Sequence, residues 1–130
     1  MAYVLDSSAA LAVLLGERHG QAVVEVIERV HARREQVLLP FMTVMEVHYR
    51  LLRMGQENAE VGLGLLRSWP VRVIESTPVW GAAAARLKAR GGLSLADAWI
   101  ASLALLYDAE LVHKDPEFDR VEGLRSYPLR

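Results

Sequence analysis

Apolar positions along the chain switch between short unbroken runs and helical spacings. Tyr3-Val4-Leu5 reads as a buried strand, and Ala9 to Leu15 follows as a helix former. Val23, Val26, Ile27 and Val30 repeat at i, i+3, i+4 and i+7, the stripe of an amphipathic helix. Val37-Leu38-Leu39 predicts a second strand, ended by Pro40. Thr43 to Met54 is helical and stops at Gly55, and Glu57 to Ser68 forms a further helix. Val71 to Ile74, with its β-branched residues, predicts a third strand. Val79 to Arg90 is helical up to Gly91-Gly92. Leu95 to Tyr107 is apolar nearly all round, as expected of a helix packed centrally. Glu110 to His113 predicts a fourth strand, and Arg125-Ser126-Tyr127 a weak last one.

Strands alternating with helices predict an α/β fold of three layers, with a mostly parallel central sheet of four to five strands flanked by helices. A chain of 130 residues suits one domain over residues 1–130, and no repeat, linker or low-complexity tract divides it. With 52% hydrophobic and 24% charged residues the composition is that of a soluble globular protein. The lack of cysteine excludes a disulfide framework and a thiolate metal site, and fits a reducing cytoplasm. The net charge of −1 argues against bulk phosphate neutralisation as the means of holding nucleic acid. Any such contact must come from a local patch or from bound cations. The amino-terminal stretch has no positive flank and is interrupted by Asp6, so it does not read as a signal peptide. Ala98 to Tyr107 is too short to span a bilayer. A cytoplasmic protein without a membrane segment is expected.

In open α/β sheets ligands bind beyond the carboxyl ends of the strands, where helices begin. Four carboxylates are expected there. Asp6 follows the first strand, Glu46 lies one turn into the helix after the second, Asp97 lies in the first turn of the apolar helix, and Asp115 follows the Glu110 to His113 strand. Each also has a capping explanation. Ser94-x-x-Asp97 and Thr43-x-x-Glu46 look like capping boxes, Asp115 before Pro116 looks like an N-cap, and Asp6 could cap the next helix. Taken singly, capping is the simpler reading of each. Their conjunction points elsewhere, because clustered carboxylates destabilise a fold unless a cation joins them. Oxygen donors of this kind suit Mg²⁺ or Mn²⁺ rather than zinc. Such clusters serve phosphodiester hydrolysis, in which the metal activates a water and stabilises the leaving oxygen.

At these same residues the chain resembles the PIN-domain ribonucleases and, within them, the VapC-type toxins. Tyr3 to Ala9, with Asp6, is similar to the family's opening strand and first aspartate. Pro40 to Arg50, with Glu46, resembles its second acidic segment, Leu93 to Ala98 its third, and Leu111 to Phe118 its fourth. The family commonly has Thr or Ser where this chain has His113. The resemblance implies a PIN-like fold and Mg²⁺ or Mn²⁺ dependence, with endonucleolytic cleavage of an RNA substrate. Asp6, Glu46, Asp97 and Asp115 would be the catalytic and metal-holding residues. It further implies a small antitoxin partner and is compatible with a homodimer.

Several other residues have plainer readings. Ser7 could hydrogen-bond a carboxylate or cap a helix, and His113 could join Asp115 on a metal, although a structural hydrogen bond is simpler. Glu117 and Asp119 read as solvated turn residues that could add outer acidic character, and Trp80 and Trp99 as core or interface. No G-x-S-x-G elbow and no phosphate-binding glycine loop is present. Two rivals remain: an RNA-processing nuclease of the same fold without an antitoxin, and a non-catalytic module that binds a partner through apolar helices.

Overall fold

A computed structural model describes residues 1–129. Strand β1 (Ala2–Leu5) leads into helices α1 (Ser7–Leu14) and α2 (Gly20–Ala32). Strand β2 (Gln36–Pro40) is followed by α3 (Phe41–Leu52) and α4 (Gln56–Ser68), and β3 (Arg72–Ile74) by α5 (Pro78–Ala89) and α6 (Leu95–Leu106). Strand β4 (Glu110–His113), a 3-10 turn over Pro116–Arg120 and β5 (Arg125–Pro128) complete the order. The five strands run in the order β3-β2-β1-β4-β5, and every neighbouring pair is parallel. The sheet is therefore wholly parallel rather than mostly so.

Side-chain alternation along the strands sorts the interior into two cores. Tyr3, Leu5, Val37, Leu39 and Val112 face the side that buries Val23, Val26, Ile27 and Val30 of α2 with Val47 and Leu51 of α3. Val4, Leu38 and Leu111 face the opposite side, against Trp80 and Leu87 of α5 and Ile100 and Leu103 of α6. Two helical layers thus cover both faces, as a parallel sheet requires. On the second side Phe41, Trp80 and Trp99 stack edge to face with centroids 5.0–5.3 Å apart. The Trp80 indole N–H donates to Trp99 O at 2.9 Å and Ser102 Oγ at 3.0 Å; Trp80 is a core residue, and Trp99, half-buried, packs against the same core.

Three local expectations are corrected. Helix α1 starts at Ser7 rather than Ala9, because Asp6 caps it. Helix α3 starts at Phe41 behind Pro40, so Thr43 is inside the helix and is no cap; its buried hydroxyl donates to Leu5 O at 2.8 Å, tying α3 to the end of β1. Helix α6 is apolar all round yet not enclosed at both ends, since Leu95 is 61% exposed and Leu106 47%. Among the described residues no helix is long and apolar enough to cross a membrane.

Candidate active site

The strand order changes direction between β1 and β4. The chain runs outward from β1 through β2 to β3 and returns to the other side with β4. Such a switch point opens a crevice at the carboxyl ends of the strands. A cleft of about 290 Å³ lies there, and Asp6, Glu46, Asp97 and Asp115 all line it. The structure therefore brings together the four carboxylates expected from the sequence, from the end of β1, from α3, from α6 and from the segment after β4.

Capping and clustering coexist at this edge. Asp6 is nearly buried, accepts the Ala9 N–H at 2.8 Å as the N-cap of α1, and receives the Ser8 hydroxyl at 2.8 and 2.9 Å on its two oxygens. It is Ser8, not Ser7, that holds this carboxylate. Ser94 caps α6 by accepting the Asp97 N–H at 3.1 Å, which leaves the Asp97 carboxylate turned to the cleft it lines. Asp115 caps the 3-10 turn through the Glu117 N–H at 2.9 Å. One carboxylate oxygen each of Asp97, Asp115 and the exposed Glu117 lies within 4.8 Å of the others. Glu117 itself stays exposed, as its turn position predicts, and adds acidic character at the rim of the cleft. Glu46 presents Oε1 with no hydrogen-bond partner although that atom is shielded from solvent.

Electrostatics register the crowding. Burial pushes the Asp6 carboxyl up to about 7, against the lowering by Ala9 N–H and Ser8, and the charges of Asp97 and Asp115 add to the rise. Asp97 is pushed up to about 6, first by burial and then by Asp115 and Glu46. An oxygen-only donor set with a buried, unpartnered carboxylate oxygen fits a divalent cation of the Mg²⁺ or Mn²⁺ kind, which would satisfy Glu46 and offset the mutual repulsion.

His113 is buried, packs edge to face on Phe118 at 4.8 Å and has both ring nitrogens engaged. Its Nδ1 accepts the Asp115 N–H at 3.1 Å, so Nε2 bears the proton and donates to Ser126 Oγ at 2.8 Å. No lone pair remains for a metal. The histidine instead fixes the backbone of Asp115, and burial lowers its pKa against the raising effect of Asp119 and Asp115.

A model of the PIN domain matches residues 3–124. Among curated proteins no relative matches the chain. Among solved structures it is similar to VapBC2 from Rickettsia felis bound to a DNA fragment from its promoter, at 19% identity and a TM-score of 0.82, over 98% of this chain and 98% of that one. It is similar to VapC20 of Mycobacterium tuberculosis, a Sarcin-Ricin loop cleaving toxin, at 19% identity and a TM-score of 0.70, over 97% and 99% of the two chains. FitAcB from Neisseria gonorrhoeae aligns at 15% identity and a TM-score of 0.74, over 97% and 96%.

Proposed function

The chain belongs to the PIN-domain family, and from that premise we propose that it is a metal-dependent endoribonuclease acting as the toxin of a toxin–antitoxin pair. The observation that carries the reading is the buried, unpartnered Glu46 Oε1 in a cleft shared with Asp6, Asp97 and Asp115. In this reading Asp6 and Asp97 hold Mg²⁺ or Mn²⁺, with Glu46 and Asp115 in direct or water-mediated contact. When bound, a divalent cation supplies an activated water and positive charge for the leaving oxygen of an RNA phosphodiester.

The protein's own part is placement. Ala9 N–H and Ser8 Oγ hold the Asp6 carboxylate in one orientation, and Ser94 sets the first turn of α6 so that Asp97 faces it. His113 holds Asp115 through its backbone. Rigid donors of this kind keep the geometry ready before substrate arrives.

The partner half of the reading draws on relatives: similar folds occur in VapBC2 of Rickettsia felis and in a toxin–antitoxin complex from Klebsiella pneumoniae, the latter at 20% identity. Helix α3, which carries Glu46, offers exposed Met45, Tyr49 and Leu52. Val47 and Leu51 of the same helix are core residues at 0% and 3% exposure and take no part in that surface. The apolar side chains left exposed suit a partner helix. In this reading the protein works in the cytoplasm, with the antitoxin as its control and a homodimer compatible with it.

The test is incubation of purified protein with total RNA. Cleavage is expected with Mn²⁺ or Mg²⁺, none with EDTA, and none by Asp97→Asn under either condition. A folded protein that leaves RNA intact with both metals defeats the proposal.

A further inference from the structure

Five acidic residues line the cleft, and two basic ones accompany them: Arg50 and Lys114. Even with a metal offsetting part of that charge, a polyanionic substrate is held better at such a pocket where cationic side chains are placed to receive its phosphates. Arg50 stands one turn along α3 from Glu46, exposed, and makes no ion pair among the described residues. Lys114 lies between His113 and Asp115, on a backbone already fixed on both sides, and its own N–H donates to Ser8 Oγ at 3.4 Å. Its Nζ sits 3.4 Å from Glu17 Oε2, also a cleft residue, with the two side chains 31% and 40% exposed. A pair that exposed is worth little and is exchanged readily for a better anion.

From this juxtaposition we infer that Lys114 and Arg50 are phosphate-positioning residues, which receive an RNA backbone at the mouth of the acidic cleft, and that Glu17 holds Lys114 ready until a phosphate takes its place. The inference rests on the ribonuclease reading above. Neither side chain is a catalytic residue in it. They set where the strand lies relative to the carboxylates, Arg50 through a planar fork suited to a phosphate and Lys114 as a single point charge.

The measurement is steady-state cleavage of a short single-stranded RNA by wild type, Lys114→Met, Arg50→Met, Lys114→Arg and Glu17→Gln across a salt series. Each Met variant is expected to raise KM roughly tenfold with kcat little changed, the scale of one lost hydrogen bond to a charged group. Each should flatten the slope of log KM against log salt by about 0.7, the signature of one fewer phosphate contact on a single strand. Lys114→Arg should retain the wild-type slope, and Glu17→Gln should lower KM by freeing Lys114. Unchanged KM and slope in both Met variants, while wild type cuts, overturns the inference alone. A rise of KM in Glu17→Gln overturns the holding role of Glu17. Failure of wild type to cut removes the ribonuclease reading and this inference with it.

Discussion

At Asp97 two physical demands conflict. Its backbone N–H is capped by Ser94, which stabilises α6, while its carboxylate faces Asp115 and Glu46 with its pKa raised to about 6. A carboxyl group whose folded pKa lies above its unfolded value is favourable in the fold only when protonated. Its stability contribution is intact below about 4 and is lost as pH rises through about 6. Asp6 behaves likewise, up to about 7. Metal-free protein should therefore lose melting temperature between pH 4 and 7, and Asp97→Asn should lose less. At pH 7.5 without metal Asp97→Asn should be more stable by about 1–2 kcal/mol, allowing for solvent screening. Thermal melts in EDTA check this; since the Ser94 cap acts on the Asp97 backbone N–H that Asn retains, a destabilised Asp97→Asn would show that the carboxylate charge is favourable in the fold and overturn the crowding argument. His113 works in the opposite sense. Its pKa is lowered in the fold, so it favours folding above about 6.5 and disfavours it as pH falls below that. Replacing it with Ala leaves the Asp115 N–H and the Ser126 hydroxyl without their partner and should cost about 1–3 kcal/mol. His113→Thr should recover part of that loss, since a hydroxyl can accept the Asp115 N–H; equal melting temperatures for the Ala and Thr variants would argue that only ring packing on Phe118 matters.

Among the elements, α1 and α2 meet most closely at Gly20. A Cβ there would stand 2.5 Å from Ala12 O, a backbone atom with no freedom to give way. Gly20→Ala should destabilise by about 1–3 kcal/mol, read as a drop of several degrees in melting temperature, with metal binding retained by the refolded protein. A neutral substitution would mean that α2 can slide on α1. The helices and strands themselves were legible because their apolar spacing is regular: Val23, Val26, Ile27 and Val30 are all buried in α2, as the stripe requires. Boundaries were less so. Asp6 and Pro40 each begin a helix earlier than the apolar pattern suggests, because capping and the fixed φ of proline act at positions that hydrophobicity does not mark. Thr43 imitates a cap in sequence, yet its hydroxyl is spent on Leu5 O, a partner 38 residues away that no local pattern reveals. Glu117 is the exposed turn residue its position suggests, but its approach to Asp97 joins two elements distant in sequence and is not marked locally.

For the whole molecule, placement of the carboxylates at the strand ends followed from the α/β rule, but the strand order that makes one cleft of them did not, since β1 lies between β2 and β4 through pairings of very different range. Expression of wild type from a tight promoter is expected to stop growth, and Asp6→Ala, which removes a cleft carboxylate along with the α1 cap, to leave growth unaffected. Equal harmlessness of both would remove the toxin reading while leaving a specialised nuclease open to test in vitro. The register Tyr3↔Glu110, Val4↔Leu111, Leu5↔Val112 has a further consequence for time rather than space. Asp6 and Asp115 become neighbours only when β4 docks beside β1, a contact of very long sequence separation that is slow to close. At a synthesis rate of roughly 5–20 residues per second, Asp6 leaves the ribosome on the order of 10 s before Asp115 does. Throughout that interval the growing chain carries half a cleft. On the ribonuclease reading proposed above, a nascent chain is therefore inactive until its last third has emerged.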